Sequence, residues 1–120
     1  MACDTFEIDT STIVEIMRGD DERLKLEVEN EDGQPVPIDG WNKVRFAIKE
    51  NVDDTDYAVA PIDCDIASEG ANGIAYVDIP GASTENLAGT YVGEFEGEDN
   101  TGKKTTLLQF NINILKDVIQ

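Results

Sequence analysis

The run Leu87-Ala88-Gly89-Thr90-Tyr91-Val92-Gly93-Glu94-Phe95-Glu96, continued by Gly97-Glu98-Asp99-Asn100-Thr101-Gly102 and then by Leu107 to Ile114, decides the fold class. A turn closes on Gly89, and the strand after it presents Tyr91, Gly93 and Phe95 on one face. An Asp/Asn/Gly loop then reverses the chain. The last segment offers Leu108, Phe110, Ile112 and Ile114 to one side, with Gln109, Asn111 and Asn113 on the other. Apolar residues recurring with period two, separated by turn residues, predict antiparallel strands.

The same pattern runs back through the chain. Thr12 to Met17 reads as a strand, and Arg18-Gly19-Asp20-Asp21 as a tight turn. Arg23 to Glu29 turns Leu24, Leu26 and Val28 inward. Asn30-Glu31-Asp32-Gly33 is a reversal in which Gly33 can take the positive φ a hairpin demands. Pro35 and Pro37 cannot donate to a ladder and imply an extended edge. Lys43 to Lys49 turns Val44, Phe46 and Ile48 inward. Tyr57 to Ile66 is strand-like but interrupted by Pro61, which predicts an edge or a bulge. Ile74 to Ile79 presents Ala75, Val77 and Ile79, and Ser83 to Leu87 predicts one helical turn. Seven to eight short strands in about a hundred residues predict an all-β, antiparallel β-sandwich. Its expected boundaries are an N-terminal arm at 1–12 and one domain at 13–120. The expected core includes Leu26, Phe46, Tyr91, Phe95 and Phe110. Tyr91, following a glycine at a strand start, suits the tyrosine corner of sandwich folds.

A chain of 120 residues is one domain, long enough to bury a core without covalent staples. Its 26 acidic and 9 basic residues give a net charge of −17. A field of that sign repels phosphate backbones and anionic lipid surfaces, so neither nucleic acid nor membrane is an expected partner. The N-terminus lacks the basic and apolar regions of a secretory signal, and no stretch reaches the roughly 18 apolar residues of a membrane span. Synthesis in the cytosol is the expectation, with Cys3 and Cys64 as free thiols.

The chain contains no histidine. Imidazole acid–base catalysis, His-dependent triads and His-ligated zinc are therefore unavailable. No glycine-rich loop follows a strand and opens a helix, so phosphate cradling has no support. The expectation is a protein that is not an enzyme and carries no cofactor. Two local motifs and one aromatic residue remain, beside Asp63-Cys64-Asp65, which reads as strand patterning around a buried thiol. Arg18-Gly19-Asp20 spells the integrin-binding tripeptide but reads as a turn between strands. Asp53, Asp54 and Asp56 offer oxygen ligands for Ca²⁺, yet lack the glycine and the closing glutamate of an EF-hand loop and read as solvated acids. Trp41, beside the proline-rich stretch, is the candidate contact residue, standing either at a sheet edge or on a contact surface.

Taken together, Arg18-Gly19-Asp20, Leu24 to Val28, Asp32-Gly33-Gln34-Pro35-Val36, Ile38-Asp39-Gly40-Trp41 and Val44-Arg45-Phe46 resemble the N-terminal immunoglobulin-like domain of tailed-phage baseplate upper proteins. Asn72 to Tyr76 and the Leu87 to Phe95 run extend the resemblance over about residues 13 to 115. The chain departs from the family in its acidity and in ending at Gln120 without a helical stalk. The resemblance implies a non-enzymatic virion structural protein, a baseplate, tail-adaptor or adhesin-anchoring part. It implies other virion proteins as partners and several copies in a symmetric assembly. A capsid decoration protein is the second expectation, and a carbohydrate- or calcium-dependent adhesion module the rival from another class.

Overall fold

The computed structural model describes residues 13–116; the expected arm at 1–12, with Cys3, lies outside the described residues. Among the described residues seven strands run in order: β1 (Ile13–Met17), β2 (Glu22–Glu27), β3 (Lys43–Lys49), β4 (Val59–Asp63), β5 (Ile74–Ile79), β6 (Gly89–Glu98) and β7 (Lys104–Leu115). Five form one sheet in the order β1-β7-β6-β3-β4, and β2 pairs with β5 in the second. Two facing sheets make the sandwich predicted from the alternation, in the immunoglobulin-like form that the resemblance implied. One pairing departs from the expectation. β1 lies parallel to β7, from Ile13 opposite Asn111 to Met17 opposite Leu115, while every other strand pair is antiparallel.

The core forms where the inward faces meet. Leu26, Val28, Ala75, Val77 and Ile79 come from the two-stranded side, and Val44, Phe46, Ile48, Phe95, Phe110, Ile112 and Ile114 from the other, all buried. Burial of each large apolar side chain stabilises by roughly 1.5–3 kcal/mol relative to exposure. Phe46, Phe95 and Phe110 form a ring cluster with centroids 4.8, 6.0 and 6.1 Å apart. Gly93 lies beneath it, and a Cβ there would stand 2.6 Å from Ile112 and 3.1 Å from Phe110.

Local departures from strict alternation have physical reasons. The register between β6 and β7 shifts after Phe95, so Leu107 is the extra residue of a bulge. Leu107 is therefore fully buried, while Leu108, expected on the inner face, is half-buried. Pro61 lies within a similar shift between β3 and β4, on a strand that ends the sheet. The helical turn expected at Ser83 to Leu87 comes earlier, as a 3-10 turn at Gly81–Ser83. Tyr91 is half-buried rather than core. Its hydroxyl accepts from the Ala88 N–H and donates to the Ala88 carbonyl, both at 3.3 Å, at the bend that opens β6. This is tyrosine-corner geometry.

Candidate functional site

The outward face of β3 and β6 brings the chain's sparse cations together with carboxylates. Alternation buries Val44, Phe46 and Ile48 and so turns Lys43, Arg45, Ala47 and Lys49 outward; on β6 it buries Gly93, Phe95 and Gly97 and turns out Val92, Glu94, Glu96 and Glu98. The antiparallel register then sets Lys43 opposite Glu98, Arg45 opposite Glu96 and Lys49 opposite Val92. Opposite charges placed directly across a pair stabilise a sheet by a few tenths to about 1 kcal/mol. Arg45 Nη2 lies 3.1 Å from Glu96 Oε1, with both side chains about one-third exposed. Gln109 Nε2 of β7 donates to Glu94 Oε1 at 2.7 Å, and Asn42 Nδ2 to Glu98 Oε2 at 2.8 Å.

A loop at 50–58 rises beside this face. The Asn51 N–H donates to Asp54 Oδ2 at 3.0 Å, and Lys49 Nζ donates to the Asp54 carbonyl at 2.8 Å. Lys49 Nζ also stands 5.0 Å from the centre of the Tyr57 ring. The braced loop holds Val52 and Tyr57 about half-exposed. Val52, Tyr57, Ala47 and Val92, with Arg45 and Glu94, line a shallow groove across the sheet.

The other residues singled out from the sequence lie elsewhere. Leu26, Phe46, Phe95 and Phe110 are in the core. Trp41 is half-buried and rests on Gly97, where an added Cβ would stand 2.4 Å from its ring, so it packs against the core instead of forming an open aromatic platform. Asp53 and Asp56 are exposed, whereas Asp54 is committed to its turn; among the described residues no three His, Cys, Asp or Glu side chains come together to hold a metal ion. The Arg18-Gly19-Asp20 turn is tied down: the Gly19 N–H donates to Oγ1 of the buried Thr84 at 3.0 Å, and Gly81 packs against the Gly19 carbonyl. Cys64 is half-buried against the core, and burial pushes its thiol up to about 12.

On the outside of the second sheet, the Arg23 guanidinium lies 4.3 Å over the Tyr76 ring and 3.6 Å from Asp78. Tyr76 donates to Glu69, and that hydrogen bond raises the phenol above its ordinary range. These groups are largely solvated, which keeps their mutual attraction small.

Among the described residues the strands hold six of the nine basic and eight of the 22 acidic side chains, a net −2, and the described residues outside the strands carry a further −11. On the outer faces of β3 and β6 the balance is even, with Lys43, Arg45 and Lys49 against Glu94, Glu96 and Glu98. Sequence reasoning missed this site. The i, i+2 spacing of each charge set was visible, but the pairing of two strands about fifty residues apart was not.

No family model matches the chain, and no curated protein matches it. Solved structures do share its fold. The endo-β-1,4-mannanase of Thermotoga petrophila aligns over 98% of this chain at 13% identity with a TM-score of 0.57, and the chain spans 21% of that enzyme's length. CopC from Methylosinus trichosporium OB3b aligns over 92% of this chain and 90% of its own, at 14% identity and a TM-score of 0.54. The fibronectin(III)-like modules of Clostridium thermocellum CbhA cover 89% of this chain and 93% of theirs, at 11% identity and a TM-score of 0.43. At such identities the first two similarities speak to the sandwich fold alone.

Proposed function

We propose that this protein is a non-enzymatic structural module of a tailed-phage virion, a baseplate, tail-adaptor or adhesin-anchoring part held by protein–protein contacts and present in several copies. One observation carries the reading: the residues of the family resemblance sit at the joints of the sandwich. Arg18-Gly19-Asp20 is the turn that delivers the chain to β2. Asp32-Gly33-Gln34-Pro35-Val36 forms the reversal after β2, with Gly33 at φ +78° and Pro35 bridged to Glu29. Ile38, fully buried, anchors the approach to β3, and the Gly89-Thr90-Tyr91 corner opens β6. In such a part the outer faces and strand edges are the working surface, and many weak contacts become strong through repetition in a symmetric ring or shell.

Quantitative mass spectrometry of purified virions tests this. The expected result is the chain at a fixed copy number matching a ring or shell symmetry; its absence from virions overturns the proposal. A copy number matching the capsid lattice would favour a decoration protein over a tail part. The exposed Tyr57 ring beside polar side chains favours one rival, a carbohydrate-binding adhesion module. That rival predicts saturable binding of a neutral oligosaccharide, lost on Tyr57→Ala.

A further inference from the structure

We propose that the outer face of β3 and β6 is the surface on which a second copy of this chain docks. Two copies each carrying −17 repel one another over most approaches, because the described residues outside the strands carry −11 against −2 on the strands. The β3–β6 strands differ, with three cations set against three carboxylates and no net charge between them, so repulsion on this approach comes from Glu50, Asp53, Asp54 and Asp56 of the adjoining loop and not from the face itself. Val52 and Tyr57, two of the three large apolar side chains most exposed among the described residues, flank the same face.

The register makes the face complementary to itself. Take a two-fold axis lying along the strand direction, midway between β3 and β6. Rotation about it sets β3 of one copy over β6 of the other and leaves position along the strands unchanged. Lys43 then faces Glu98 of the second copy, and Arg45 faces Glu96 of the second copy, each contact occurring twice. Ala47 then faces Glu94 of the second copy and Lys49 faces Val92 of the second copy, and sheets packed face to face in this way stand roughly 10 Å apart. An isologous contact of this kind closes on itself, as most soluble oligomers do. The inference gives the assembly reading a copy-to-copy surface, but it rests on this face and not on the virion.

Sedimentation velocity on the full chain, from about 5 to about 200 µM at about 0.05 and about 0.5 M salt, tests it. The expected result is a reversible dimer of twice 13.1 kDa. Salt should tighten it by roughly tenfold or more, since screening relieves loop repulsion over longer distances than it weakens contacts within the face. Arg45→Glu should abolish the dimer by opposing like charges twice, and the Arg45→Glu/Glu96→Arg exchange should restore it. Tyr57→Ser, at an exposed position that leaves the fold intact, should also weaken it. A monomer throughout the range, or a dimer indifferent to both Arg45→Glu and Tyr57→Ser, overturns the proposal. A dimer that virions do not contain would instead overturn only the proposed function, and a virion component that stays monomeric would overturn only this inference.

Discussion

Phe95 meets Phe46 and Phe110 above Gly93, in a space with no room for an added methyl. Close packing of this kind is unforgiving in both directions, because a removed ring leaves a void that the rigid strands cannot close. Phe95→Ala is therefore expected to cost roughly 3–5 kcal/mol in urea unfolding, and a loss below about 1 kcal/mol would contradict the burial. Cys64 shows burial acting on chemistry instead of stability. Its thiol is pushed up to about 12, chiefly by desolvation and then by neighbouring Asp63. Since the thiolate is the nucleophile, a Cys3→Ser variant should react with Ellman's reagent only slowly at pH 8 and fully once denatured. Rapid reaction of the folded variant would show that the thiol is open to solvent.

The hairpin between β6 and β7 owes its turn to one carboxylate. Asp99 Oδ1 accepts from the Thr101 hydroxyl at 2.6 Å, the Thr101 N–H at 2.9 Å and the Lys103 N–H at 3.0 Å. These bonds favour the charged form and hold Asp99 below the usual carboxylate range, with the Thr101 hydroxyl the largest cause. A carboxylate lowered by folding stabilises the protein above its unfolded pKa, and that contribution is lost as pH falls through the lowered folded value. Thr101→Ala should move Asp99 back toward its ordinary range, read by NMR titration of the carboxyl carbon; an unmoved titration would remove the hydroxyl as the cause. Elements like this hairpin were legible in the sequence, since period-two runs and Asp/Asn/Gly turns are local signals. The bulge that buries Leu107 in place of Leu108 was not, because it depends on a register shift against β6. Nor was the parallel seat of β1 on β7, a contact between the two ends of the chain. The charged face of β3 and β6 was hidden for the same reason: each strand shows its own stripe, but only the sheet order makes the stripes neighbours.

Across the whole molecule, the uneven placement of charge sets how stability answers to solvent. The strands are nearly neutral, and their cross-strand pairs are short and partly shielded, whereas the acidic surplus sits outside them and repels itself. Salt screens charges separated by more than about 10 Å at 0.1 M ionic strength and leaves pairs at about 3 Å far less affected. Adding salt to about 0.5 M at pH 7 is therefore expected to raise Tm by several degrees, an increment worth roughly 1 kcal/mol for a domain of this size. Acid acts through the turn carboxylates. Asp65, held low chiefly by the Ser68 hydroxyl, and Asp99 both lose their turn bonds once the pH falls through their lowered values, and stability declines there. Thermal melts followed by circular dichroism over pH 2–8, at about 0.05 and about 0.5 M salt, should show Tm falling at the acid end of the range and higher at pH 7 in the higher salt. A Tm that falls with added salt at pH 7 would mean that the Arg45–Glu96 ladder, and not the repulsion among the loops, is the larger electrostatic effect in this fold.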